Sequence, residues 1–166
     1  IGLPSLKWLI GSPDVDLVAV VCQPDKPVGR KQVLTPPATK VVAEESGIAV
    51  RQPSRIRNDG EWFEKIESDL VVVMAYGQIL PSRILAAPKV ACLNLHASIL
   101  PRHRGASPIQ AAIRDGDQTS GITVIYMDEG LDTGDVLLTR SIDLAPDETG
   151  QSLHDRLAEL APAALA

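Results

Sequence analysis

The chain has 166 residues, 45% hydrophobic and only 3% aromatic, with a formal net charge of −5. That is enough apolar material for one domain, whose core must be filled by Leu, Ile, Val and Ala. The acidic balance excludes a domain that binds nucleic acid through overall basicity, while leaving room for a local basic patch.

The first element expected is a helix over residues 4–10. Residues 16–22 form a nearly continuous apolar run bounded by polar residues, the pattern of a strand buried on both faces. Residues 23–31 (Gln-Pro-Asp-Lys-Pro-Val-Gly-Arg-Lys) read as a Pro/Gly loop with three cations, Lys26, Arg30 and Lys31. A loop with few apolar residues has to dock through charge. A helix follows over 38–45, stopped by Gly47, and another over 59–66. Residues 69–75 and 90–95 read as two more buried strands. Pro108 opens a helix that runs to Arg114. Residues 122–127 and 136–140 read as the last strands, with a short return between them, and residues 151–160 as the last helix.

Strands alternating with helices, and apolar on both faces, predict an α/β fold with a doubly wound, mostly parallel sheet. Cys22 and Cys92 sit in apolar runs and read as reduced core thiols. No Cys/His cluster has metal-ligand spacing. No stretch reads as a signal peptide or a membrane span, so a cytoplasmic enzyme is the expectation. The chain starts at Ile1, runs straight into a helix, and stops just after Pro162. Both ends read as cut, with a strand expected before the first helix.

Three polar residues stand out at strand ends. Asn94 and His96 are two apart, so in a strand they point to one side. Asp132 lies at or just beyond the end of a later apolar run. Any one of them alone is usually a turn former or a satisfied polar group. Together, an amide donor, an imidazole and a carboxylate can stabilise an oxyanion, polarise a carbonyl and move a proton, with no metal and no Ser or Cys nucleophile. Ligands of such sheets bind beyond the carboxyl ends of the strands. His154, on a predicted helix beside Asp155 and Arg156, reads as solvated.

The stretch Asn94-Leu95-His96-Ala97-Ser98-Ile99-Leu100-Pro101, with Leu131-Asp132-Thr133-Gly134, closely resembles the signature of the 10-formyltetrahydrofolate-dependent formyltransferases. The resemblance runs over nearly the whole chain, through Leu34-Thr35-Pro36 and residues 105–110. It implies the family's α/β fold with the first strand missing, and Asn94, His96 and Asp132 as the catalytic residues. It also implies that Ser98, Ile99, Leu100 and Pro101, with Tyr76, Gly77 and Ile79, bind the folate that donates the formyl group. The loop through Arg30 is similar to one that sets methionyl-tRNA formyltransferases apart from the rest of the family. That likeness implies initiator methionyl-tRNA as the acceptor, contacted by Arg30, Lys26 and Lys31, and a C-terminal tRNA-binding domain beyond residues 1–166. Arg102 and Arg104 can add phosphate contacts. The alternatives are a formyltransferase acting on a small amine, such as glycinamide ribonucleotide or an amino sugar nucleotide, and a non-catalytic nucleotide-fold binding module. Two positions depart from the family pattern. His103 stands where an aromatic residue, often Trp, is usual, and Cys22 where Thr is usual.

Overall fold

A computed structural model describes residues 1–166. Helix α1 (Leu3–Gly11) carries Pro4 in its first turn, where the missing N–H costs nothing. Strand β1 (Ala19–Val21) lies parallel to β4 (Ala49–Arg51), with α2 (Ala38–Glu45) between them in the chain. Helix α2 stops where expected. Gly47 takes φ +73°, and Ile48 N–H donates to Ala43 O at 2.9 Å. Two strands fold out of the segment between β1 and α2. Strands β2 (Lys26–Val28) and β3 (Val33–Thr35) form an antiparallel hairpin apart from the main sheet.

A short 3₁₀ turn (Ile56–Asn58) and α3 (Gly60–Lys65) lead to β5 (Leu70–Val73), then α4 (Ser82–Leu85) and β6 (Ala91–His96). Helix α5 (Pro108–Arg114), β7 (Thr119–Tyr126), β8 (Val136–Asp143) and α6 (Gly150–Leu160) complete the order, closed by a 3₁₀ turn (Ala161–Ala164). The main sheet has the order β5-β6-β7-β8. Strands β5 and β6 are parallel, as the βαβ alternation predicts, and the β6·β7 and β7·β8 pairs are antiparallel. The fold is α/β as expected. The sheet changes direction at β7, which returns alongside β6 and then turns back into β8.

Strand β6 shows how the sheet divides the core. Its side chains alternate, so Leu93 and Leu95 face one layer and Cys92 the other. The first layer joins Leu93 and Leu95 to Ile109 and Ala112 of α5, Ile122 and Val124 of β7, and Leu153 and Leu157 of α6. The second joins Cys92 to Ile56, Phe63, Leu80 and Ile84. Burial pushes the Cys92 thiol up to about 11, as for a core thiol. Cys22 is also buried and free, and burial raises its pKa too. Asn94 and His96 continue the row begun by Cys92, so the pleat that packs the second core layer also aims the two polar side chains.

Two strands are less buried than their composition suggests. Val18 is 46% exposed and Leu70 48%. Strand β1 pairs only with β4, and β5 lies at the end of its sheet. Each therefore has one edge without a partner, and an apolar run does not by itself report two-sided cover. Helix α6 docks through Leu153 and Leu157, both fully buried, and its start is fixed by a reciprocal Thr149–Ser152 capping box. Leu157→Ala should cost about 2–5 kcal/mol of stability, since it opens a cavity between the sheet and α6. Urea denaturation of the two proteins measures it.

Candidate active site

The cleft lies where the carboxyl ends of β5 and β6 meet the loop between β7 and β8. It has a volume of about 600 Å³, and Asn94, His96 and Asp132 all line it. Asn94 sits opposite Val73 of β5 and Ile125 of β7 in the sheet register, and His96 opposite Thr123. The two side chains are thus held by a strand paired on both sides.

Asp132 reaches the same place from a loop. Residues 127–135 leave and re-enter the sheet together, because Tyr126 N–H donates to Asp135 O at 2.9 Å. Asp128 Oδ1 accepts from Gly130 N–H and from the Thr133 hydroxyl, which folds the loop on itself. Gly134 is required by the close approach of the chain: a Cβ there would lie 1.7 Å from Tyr126 O. Asp132 has φ +52°, a left-handed conformation that Asp adopts more readily than most residues. That turn points its carboxylate inward.

The three side chains meet in one group, joined by a hydrogen bond from Asn94 to Asp132 and a close approach of Asp132 to the His96 ring. Asn94 Nδ2 donates to Asp132 Oδ1 at 3.2 Å, leaving its second N–H free for a ligand. Asp132 Oδ2 accepts from Gly105 N–H at 2.8 Å and lies 3.5 Å from His96 Nδ1. His96 Nε2 is 2.9 Å from the His103 carbonyl oxygen. A carbonyl only accepts, so Nε2 carries the proton there. Nδ1, on the Asp132 side, is the ring atom left for chemistry. The His96 and Asp132 side chains are only 7% and 11% exposed, so their mutual attraction is little screened by water. No group of three or more His, Cys, Asp or Glu side chains is arranged to hold a metal ion.

The other candidate residues divide into two sets. Tyr76, Gly77 and Ile79 line the cleft, with Ala75 (φ +49°) and Gly77 (φ +82°) turning the chain across its mouth. Ile79 is 84% exposed, and the Tyr76 hydroxyl is buried without a partner. Burial raises the Tyr76 pKa, with the charge of Asp59 as the next cause. Ser98, Ile99, Leu100 and Pro101 do not line the cleft. The Ser98 hydroxyl donates to Arg102 O, Thr123 Oγ1 donates to Ser98 O at 2.7 Å, and Leu100 N–H donates back to Thr123 Oγ1 at 3.1 Å. The Leu100–Pro101 peptide bond is cis. These bonds tie the segment to Thr123 of β7 and to Arg102.

Lys26, Arg30 and Lys31 lie on the β2–β3 hairpin, all exposed and none at the cleft. The hairpin is also less polar than its loop-like sequence suggests, since Val28, Val33 and Leu34 are 55–65% exposed on it. Docking there does not have to rest on charge alone.

Three contributors went unseen in the sequence. The His103 carbonyl and the Gly105 amide act through the backbone, and only the left-handed turn that an Arg-Gly pair permits hinted at them. His154 is not simply solvated, because it also lines the cleft from α6. Its signal was the position on the inner helical turn beside Leu153 and Leu157.

A family model described as formyl transferase matches residues 7–166. The chain is 51% identical over 159 residues to a methionyl-tRNA formyltransferase of Geobacter metallireducens, covering 95% of this chain and 51% of that protein. It is 52% identical over 159 residues to the protein of that name from Sulfurimonas denitrificans, covering 94% and 52%. The chain spans about half the length of the curated relatives it matches. Among solved structures, it is similar to a phosphoribosylglycinamide formyltransferase from Bacillus halodurans. The TM-score is 0.79 and the identity 22%, over 99% of this chain and 88% of that one. One from Anaplasma phagocytophilum gives a TM-score of 0.77 at 20% identity, over 96% and 76%. At those identities the solved structures speak for the fold alone.

Thr123 is fully buried and its hydroxyl makes two of the bonds that hold the segment after β6. Thr123→Val keeps the shape but leaves the Leu100 N–H without its partner. It should lower stability by about 1–3 kcal/mol, read as a shift in the urea midpoint at unchanged slope.

Proposed function

This chain belongs to the formyl transferase family, and we propose that it is the catalytic portion of a methionyl-tRNA formyltransferase. The reaction moves a formyl group from 10-formyltetrahydrofolate to the α-amine of methionine on initiator tRNA, in translation initiation. The donor supplies an activated formyl carbon, and the neutral amine attacks it.

Asn94 aims its free N–H at the carbonyl oxygen that gains negative charge, and His96, once Nδ1 has taken the proton the amine loses, turns a cationic N–H toward the same charge. Asp132 holds both side chains and stabilises the ring when it carries a second proton. The proton lost by the amine passes through this pair toward the departing folate nitrogen. The cleft wall made by Tyr76, Gly77 and Ile79 takes the flat folate ring against apolar side chains and turned backbone. The single observation carrying this reading is the Asn94–Asp132–His96 group at the strand ends.

The acceptor rests on different support: about half-identity to methionyl-tRNA formyltransferases over nearly the whole chain, and a cationic hairpin. An acidic chain that projects Lys26, Arg30 and Lys31 on one exposed extension has a local surface for a polyanion. A small amine has no need of it. No helix is long and apolar enough to cross a membrane, and a cytoplasmic setting agrees with a role in initiation.

In the full-length protein, His96→Ala or Asn94→Ala should slow formyl transfer by on the order of 10²–10³, while tRNA binding changes little. A His96→Ala protein turning over at the wild-type rate would sink the mechanism. Arg30→Ala should raise the KM for charged tRNA and flatten its salt dependence, with the folate KM unchanged. Unchanged tRNA kinetics across a salt series, with activity on glycinamide ribonucleotide instead, would move the acceptor to a small amine and leave the chemistry standing.

A further inference from the structure

The segment Arg102–Gly105 touches the catalytic group twice, and neither contact uses a side chain. The His103 carbonyl accepts from His96 Nε2 at 2.9 Å, and the Gly105 amide donates to Asp132 Oδ2 at 2.8 Å. Both contacts require an unusual backbone, since His103 has φ +55° and Gly105 φ +97°. For Gly105 that conformation is free. For His103 it is uncommon, though His adopts it more readily than most side chains, and it persists where the surroundings hold it.

What holds it is visible. His103 Nε2 is bonded to Asp117 Oδ2 at 2.6 Å, and the two side chains are 11% and 6% exposed. Asp117 is fixed at both ends. Its own N–H donates to Ala112 O at 3.0 Å at the end of α5, and its other oxygen accepts from Arg102 Nη2. Asp115 lies 3.9 Å from the remaining His103 ring nitrogen and pairs with Arg114. The turn between α5 and β7 thus presents two carboxylates, and the segment before α5 is clamped onto them.

We infer that His103 is a positioning residue for formyl transfer, its ring anchored on Asp117 so that its backbone carbonyl fixes the orientation of the His96 imidazole. The inference rests on the functional reading above. With the carbonyl in place, Nε2 must be the protonated ring atom and Nδ1 faces Asp132. Without it, either nitrogen can carry the proton, and the ring is free to turn. An apolar ring at position 103 can fill the same space, but it cannot bond Asp117, whose charge would then rest on Arg102 alone. The placement also explains why Asp117 is so deeply buried for a carboxylate outside the cleft.

The test separates the carbonyl from the side chain. Asn tolerates the left-handed backbone, whereas a β-branched residue resists it. In the full-length protein, His103→Val should lower kcat by about 10- to 100-fold with the folate KM unchanged, the range expected when a supporting contact is lost. His103→Asn loses the ring anchor but tolerates the backbone, so its kcat should fall between those of the wild type and the Val variant. In parallel, the ¹⁵N shifts of the His96 ring should report one tautomer in the wild type, a mixture in the Val variant and an intermediate pattern in the Asn variant. If the Val variant fails to fold, Asp117→Ala removes the anchor while leaving residue 103 intact, and should give the same mixture. Wild-type kcat and wild-type ring shifts in the Val or Asp117→Ala protein would overturn the inference. So would an equal loss in the Asn and Val proteins with the His96 ring unchanged. A wild-type protein that transfers no formyl group to any amine would instead sink the functional reading, and the ring shifts would still decide whether His103 sets the His96 tautomer.

Discussion

Asp132 ties together three stretches of chain: strand β6, the segment before α5 and its own loop. Its two oxygens take the Asn94 amide from β6 and the Gly105 amide from the segment before α5, and face the His96 ring. A carboxylate this far from solvent is costly unless each oxygen is satisfied. The satisfaction here is complete, with donors from two elements and a ring that can become a third. Remove the carboxylate and the Asn94 amide loses its direction, the Gly105 segment its tie, and the imidazole its counter-charge. The geometry of the cleft is therefore the geometry of one buried anion and its donors.

Such an arrangement has to be held against local preference. Ala75, His103 and Asp132 all have positive φ without being glycine, and all lie at or beside the cleft. Each such residue costs roughly 1–3 kcal/mol. Fully burying one Leu or Ile side chain contributes a similar amount, roughly 1.5–3 kcal/mol. The sheet and the helix packed on it supply several: Ile122 and Ile125 of β7 and Leu153 and Leu157 of α6 are all essentially inaccessible. Strand β7 matters most in this, because every residue from Ser120 to Ile125 is buried. It supplies Ile122 and Val124 to the first core layer and also launches the loop that carries Asp132. Rigidity and strain are placed next to each other, which is what a site needing fixed donors requires.

The parts of this design visible in the sequence were those with local causes. Helix α2 ends where Gly47 dictates, α5 begins at Pro108, and Asn94 and His96 share a side because a strand alternates. Asp132 was legible as the third member because residue type and family resemblance agreed. The parts that were hidden depend on contacts distant in sequence. Ser98–Pro101 follows β6 directly, and its backbone is held by Thr123 on the neighbouring strand, a partner 23 to 25 residues away. Residues 23–31 are rich in Pro and Gly and read as a loop, but Val33, Leu34 and Thr35 just beyond give the chain enough β preference to pair back on Lys26–Val28. The half-exposure of β1 and β5 could not be read from their apolar runs, because exposure depends on what lies at the neighbouring edge. Backbone contributors such as the His103 carbonyl leave almost no mark on residue identity.

The hairpin and the cleft have opposite physical demands, and the chain separates them accordingly. Donors at the cleft must be fixed in place, so they come from a central strand and a self-bonded loop. A surface meeting a large polyanion works through long-range attraction and adaptable side chains. In the proposed function such a surface is the exposed two-stranded extension, which packs on little of the core. The net charge of −5 sharpens the division, since an acidic body repels a nucleic acid everywhere except where cations cluster. The apolar Val28, Val33 and Leu34 on the same hairpin then have a use that charge lacks. Attraction brings the partner near, and short-range burial of those side chains discriminates a docked arrangement from a merely close one. On this view the hairpin sets which acceptor arrives and in what pose, while the Asn94–Asp132–His96 group is indifferent to everything but the amine and the formyl carbon.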